Sequence, residues 1–243
     1  MLTLILTRHG KAAPDEVILG GQLDPRLTGV GRAEARALAG RLAGIRIDRV
    51  IASPMARALE TARIVAAGRT VEVDERLREL RYGRWEGLTH AEIEARDPEL
   101  WARWDDDPAA TDPPGGECGN DVAERARGFL ADLIVAEAGA GRALASAARR
   151  SPDPGGSRGA VSESRANEEG ERRVLVVAHG TYNRILLCVA LGMPVCDYRR
   201  RFIQDRANLS VLRYEPGDTP DGAQLVLAND VGHLRHPGEA PWG

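Results

Sequence analysis

The sequence predicts an α/β fold built on a mostly parallel sheet. Three observations carry that prediction. LTLIL (2–6), RVIAS (49–53) and VLVVA (174–178) are continuous apolar runs of strand length, the pattern of strands covered on both faces. Stretches of helical length and periodicity separate them. The first and third runs each end abruptly in His-Gly, at His9-Gly10 and His179-Gly180, as strands do when they stop at a shared sheet edge. At 243 residues the chain has ample core for one large domain, and 1–243 is read as a single one.

The elements follow in order. Further strands are expected at VEV (71–73), NLSVLRY (208–214) and AQLVLAN (223–229). Helices are expected at 28–44, with Val30, Ala33, Ala37 and Leu42 along one face and Gly44 as a stop, and at 53–68. For the second, Ser53 is the expected N-cap and Pro54 the first helical residue. Two more helices are expected at 119–139 and 181–192. From Gly139 to Arg172 the chain is rich in Gly, Ser, Pro and charge, and it reads as a disordered insertion before the VLVVA strand. Its first part, to about Arg150, has the composition to extend the preceding helix.

Composition excludes several classes. A formal charge of −3 gives no electrostatic reason to expect nucleic acid or an anionic membrane as partner. No apolar stretch approaches the roughly 20 residues of a membrane span. Cys118, Cys188 and Cys196 have no CxxC spacing and are odd in number, so reduced thiols in a cytoplasm are expected. Monomer and homodimer are both left open.

Chemistry concentrates at three strand ends. In open parallel sheets ligands bind beyond the carboxyl ends of the strands. Arg8 and His9 follow the first strand, His179 follows VLVVA, and RVIASPMAR turns through Ser-Pro into a helix carrying Arg57 in its first turn. Two arginines and a helix N-terminus make a pocket for a tetrahedral dianion. A neutral imidazole held by a backbone carbonyl can attack phosphorus, fixed donors can hold the equatorial oxygens, and a nearby carboxylic acid must protonate the leaving alkoxide. Glu79, in ERLRELRYGRWEGLT (75–89), is the candidate acid. A metal is not expected, because each histidine sits beside arginine or lacks a carboxylate at ligand spacing.

TRHG (7–10), LDPRLTGVGRAEA (23–35), SPMARALETA (53–62), LRELRYGRWEGLT (77–89) and VVAHGTYNR (176–184) together resemble the histidine phosphatase superfamily, also called phosphoglycerate-mutase-like. The resemblance implies a three-layer α/β/α sandwich, a metal-independent and cofactor-free phosphatase, and a small-molecule phosphate ester as partner. It implies His9 as the phosphorylated nucleophile, Glu79 as proton donor, and Arg8, Arg57, His179 and the Gly180 backbone as phosphate ligands. The chain departs from the family pattern at Ala12, Asp15 and Gly20, where Thr, Asn and Gln are common; Gln22 is a candidate substitute for the last.

Other residues read as structural. Glu86 is expected to cap or brace, His233 to anchor the C-terminal segment, and His90 and His236 to face solvent. Trp85, Trp101 and Trp104 pack a subdomain or line the leaving-group side. Segment 89–117 is acidic, with a run at Asp105, Asp106 and Asp107, which favours a phosphatase over a mutase that must hold a second anion. The alternatives are a cofactor-dependent phosphoglycerate mutase and a phosphate-binding module without catalysis.

Overall fold

A computed structural model describes residues 1–12, 21–150 (142–150 as backbone only) and 170–235. Asp15, Gly20, His236 and most of the expected insertion lie outside the described residues. All six expected strands form: β1 (Leu2–Arg8), β2 (Arg49–Ala52), β3 (Val71–Val73), β4 (Arg172–Ala178), β5 (Leu209–Tyr214) and β6 (Gln224–Asp230). They make one sheet in the order β3-β2-β4-β1-β5-β6. The β3-β2, β2-β4 and β4-β1 pairs are parallel, whereas β5 and β6 return antiparallel on the β1 side.

Side-chain alternation then builds the layers. Leu4, Leu6, Val174, Val176 and Ala178 point to one face and pack with helices α5 (Gly119–Arg150) and α6 (Gly180–Ala190). Ile5, Leu175, Val177, Val50 and Ala52 point to the other, against α1 (Gly29–Arg41) and α2 (Ala56–Ala66). The three-layer sandwich follows. Between β3 and α5 the chain forms α3 (His90–Arg96) and α4 (Pro98–Asp106); α7 (Tyr198–Arg201) precedes β5. No helix among the described residues is long and apolar enough to cross a membrane.

Two details of the helices differ from expectation. In α1 the buried residues are Gly31, Ala35 and Leu38, while Val30 is 56% exposed and Ala33 is exposed. The helix turns that way because Gly31 must face the His9-Gly10 loop: a Cβ on Gly31 would stand 2.1 Å from the Lys11 carbonyl oxygen. Helix α2 starts at Ala56 with Met55 as N-cap, two residues after the Ser53 cap expected. Its first amide is instead capped from a distance, the Ala56 N–H donating to Asp24 Oδ2 at 2.8 Å. The Ser53 hydroxyl accepts only a long bond from the Met55 N–H, at 3.4 Å, and makes its shorter contact with His179. Helix α5 continues through Arg150, the extension past Gly139 that the composition of 139–150 allows.

Candidate active site

The sheet register brings the three strand ends together. Arg8 pairs with Ala178, and Ala52 with Val177. One residue further the ladder still holds: His9 N–H donates to Ala178 O and Ser53 N–H to Val177 O, both at 3.0 Å. His9 and His179 therefore emerge side by side from adjacent strands, their ring centroids 5.2 Å apart and their planes at 61°.

Each ring is held in a defined way. His9 Nδ1 lies 2.7 Å from Gly10 O, an acceptor, so Nδ1 carries the proton and Nε2 bears the lone pair. Arg57 Nε donates to that Nε2 at 3.2 Å. Burial first, then the Arg8 and Arg57 guanidiniums, hold His9 well below the ordinary histidine range. His179 Nε2 sits 2.8 Å from Ser53 Oγ, while its Nδ1 is buried without a hydrogen-bond partner. Burial, followed by Arg57, also keeps His179 well below the ordinary range.

The guanidiniums are fixed by carbonyls. Arg57, the second residue of α2, donates Nη2 to Gly21 O at 2.9 Å and Nη1 to Leu23 O; Asp24 stands 3.6 Å away. Arg8 donates Nη1 to Gln204 O at 2.9 Å and leaves a buried Nε without a partner. Burial lowers both arginines from their usual range, the direction expected of cations taken out of water. Gly180 makes room for one of them, since a Cβ there would lie 3.3 Å from Arg8 Cζ.

Glu79 joins this set from the loop after β3. Its Oε1 accepts from the Leu80 and Tyr182 amides, each at 2.9 Å, and its Oε2 from the Thr181 amide at 3.0 Å. Two of these amides belong to the first turn of α6, whose N-terminus attracts negative charge. The carboxyl group is thus locked next to His179 and Gly180. Gln22 does not turn toward the phosphate pocket; its Nε2 donates to Glu79 O at 2.8 Å.

All six residues singled out from sequence converge here. Sequence reasoning missed their supports. Ser53 aligns His179, Asp24 caps the helix of Arg57, and Thr61 Oγ1 accepts from Gly10 N–H at 3.1 Å. Gln204 and Asn208 hold Arg8: Gln204 O accepts from Arg8 Nη1, and Asn208 Oδ1 accepts from the Arg8 backbone N–H at 3.2 Å. These supports have no local signature, because each acts on a residue at least 32 positions away in the chain.

The surrounding residues sort themselves. Trp85, at 0% exposure, and Trp104 are core; Trp101 stacks on Trp104 at 5.3 Å. His90, expected to face solvent, is half-buried, its ring tilted at 40° to that of Trp101 with centroids 5.0 Å apart. Glu86 braces the turn by accepting from Tyr82 N–H. His233 Nε2 reaches Ala207 O at 2.9 Å, tying the C-terminal segment to the sheet. Asp105 and Asp106 face solvent, Asp105 pairing with Arg199 at 3.0 Å, while Asp107 is half-buried. Cys118 is buried with its thiol pushed up by burial, against a nucleophilic role.

The family model for the histidine phosphatase superfamily (branch 1) matches residues 4–148 and 157–230. The chain belongs to that superfamily. Among relatives of this histidine phosphatase, glucosyl-3-phosphoglycerate phosphatase of Mycobacterium tuberculosis is 34% identical over 198 residues, covering 80% of this chain and 78% of the relative. Phosphoserine phosphatase 1 of Hydrogenobacter thermophilus is 27% identical over 218 residues, 88% of each. The solved structure of mycobacterial glucosyl-3-phosphoglycerate phosphatase with inorganic phosphate superposes with a TM-score of 0.73 at 30% identity, covering 96% of this histidine phosphatase and 99% of that chain.

Proposed function

We propose that this protein is a metal-independent phosphomonoesterase that acts on a small phosphorylated metabolite through a phosphohistidine on His9. The observation that carries the reading is the pair of contacts on His9: Nδ1 bound to Gly10 O, Nε2 turned to Arg57. The proton is parked on the far nitrogen, and the lone pair faces a cationic pocket.

In the proposed first step His9 Nε2 attacks phosphorus in line with the ester oxygen. The P–O ester bond breaks, its electron pair goes to the leaving oxygen, and Glu79 supplies the proton that makes it an alcohol. In the second, Glu79 takes a proton from water, the water oxygen attacks phosphorus, and the N–P bond returns its pair to Nε2. Arg8, Arg57, His179 and the Gly180 amide hold the non-bridging oxygens, whose charge peaks in each transition state. The guanidiniums of Arg8 and Arg57 beside the two rings repel a divalent cation, which supports a metal-independent route. The free thiols of Cys118, Cys188 and Cys196 fit a reducing compartment, and we place the protein in the cytoplasm.

The test compares wild type with His9→Ala, following phosphate release from 4-nitrophenyl phosphate in the presence of chelator. The expected result is chelator-resistant release that falls about a thousandfold or more in the variant. Interconversion of 2- and 3-phosphoglycerate in place of release would make the protein a mutase. Wild-type silence in both assays would reduce it to a phosphate-binding module.

A further inference from the structure

Glu79 lies in an irregular stretch between the short 3-10 turns Glu75–Leu77 and Gly83–Trp85, where neither a strand ladder nor a helix fixes the backbone. The carbonyls of such a stretch need partners from elsewhere. Arg125, on α5, supplies them. It donates Nη1 to Arg76 O and, at 2.7 Å, to Arg78 O, and its Nη2 reaches Glu79 O at 3.4 Å. One planar guanidinium thus gathers three carbonyls around the candidate proton donor.

Glu117 completes the grip. Arg125 Nη2 donates to Glu117 Oε1 at 2.8 Å, and the same oxygen accepts from Arg81 N–H at 3.0 Å. The pair therefore holds residues 76, 78 and 79 by their carbonyls and residue 81 by its amide. Both side chains are largely buried, at 18% and 16% exposure, where such bonds are stronger than in water.

The other wall of the Glu79 seat is the first turn of α6. Tyr182 N–H donates to Oε1 and Thr181 N–H to Oε2. The Arg125 guanidinium also lies over the Tyr182 ring, its Cζ 5.1 Å from the centroid. A single side chain thus touches both walls. Oε1 is filled by two amides, those of Leu80 and Tyr182, whereas Oε2 accepts one and keeps a lone pair for a proton. If either wall shifts, that oxygen shifts with it, and misplacement on the ångström scale is costly in proton transfer.

We propose that Arg125 is a positioning residue: it fixes the Glu79 segment against α6 and so aims the Glu79 carboxyl at the leaving oxygen. This rests on the phosphomonoesterase reading above, with Glu79 as proton donor.

The test compares kcat/KM for phenyl phosphate and 4-nitrophenyl phosphate, two esters of similar shape. That constant ends at release of the phenol, so hydrolysis of the phosphohistidine does not enter it. Phenolate is the stronger base and depends more on a delivered proton; 4-nitrophenolate leaves readily without one. Glu79→Gln sets the scale, with a loss at least about tenfold larger on the phenyl ester. Arg125→Gln should show the same dependence, a loss at least about fivefold larger on the phenyl ester, and Arg125→Lys a smaller one, because it keeps part of the carbonyl contacts. Adding Arg125→Gln to Glu79→Gln should cost less than about twofold more on the phenyl ester, since both act through one carboxyl group. The ratio between two esters in one preparation does not depend on how much of it is folded, so destabilisation cannot imitate the result. Should Arg125→Gln fail to fold, the ratio is read on Arg125→Lys. Equal losses on both esters in the Arg125 variants, or losses that add in the double variant, overturn the proposal and leave Arg125 a support of the fold. Equal losses in Glu79→Gln remove the donor role, and the proposal with it. Wild-type silence on both esters removes the phosphatase reading itself.

Discussion

In the proposed mechanism His9 has to remain a nucleophile while two guanidiniums and its own burial act on it. All three disfavour the imidazolium, so the ring stays neutral where a free histidine begins to protonate. The same holds for His179. Histidine C2–H resonances followed by NMR should therefore show both rings unprotonated as pH falls through 6.5, the ordinary value; titration of either at or above that pH would falsify the assignment. The stability linkage has one sign. Below pH 6.5 the unfolded chain takes up protons that the native rings refuse, so stability is fully present above 6.5 and is lost as pH falls toward the depressed native values. Ser53→Ala should strip His179 Nε2 of its partner and lower kcat/KM about tenfold, the scale of one buried hydrogen bond. The candidate residues Arg8, His9, Arg57, Glu79 and His179 were legible in the sequence because the proposed chemistry names their types. Ser53 was not, because a Ser-Pro ahead of a helix looks the same whether it caps that helix or reaches across to β4.

Helix α1 owes its orientation to one contact. Gly31 lies against the backbone of Lys11, and Gly10 lies against Gly31 in turn: a Cβ on Gly31 would stand 2.1 Å from Lys11 O, and one on Gly10 2.4 Å from Gly31 O. The helix thus presses on the loop that carries His9. Gly31→Ala should cost about 2 to 4 kcal/mol in urea unfolding, as overpacking against fixed backbone does, and should lower phosphatase activity as well. Helix α2 shows the same dependence on remote partners. Asp24→Ala removes its only side-chain cap among the described residues and should cost about 1 kcal/mol. Apolar periodicity located both helices, yet placed Val30 and Ala33 inward on α1. Alanine and glycine carry little hydrophobic signal, and the face was chosen by backbone approach, which periodicity does not report.

At the scale of the molecule the two ends of the sheet do different work. The carboxyl ends hold the pocket; the amino ends hold an ion network. There Glu137 of α5, only 3% exposed, accepts from Arg49 at the start of β2 at 2.6 Å and from Arg172 at the start of β4 at 2.7 Å. Glu137→Ala removes the buried carboxylate the two guanidiniums share, leaving Arg49 with Glu72 and Arg172 with Asp48, and should cost about 1.5 to 3 kcal/mol in urea unfolding. Because the change is at the far end of the strands, kcat/KM for 4-nitrophenyl phosphate should stay within about twofold of wild type.

The strand order has a kinetic consequence. β4 lies between β1 and β2, which do not pair with each other. Both edges must wait for a strand that begins at Arg172, so more than two-thirds of the chain leaves the ribosome before the sheet can close. Until then β1 and β2 are open apolar edges, the kind of surface that pairs with the wrong neighbour and calls on chaperones. The centre of the sheet waits on one late strand, and His179 of the candidate site arrives with it.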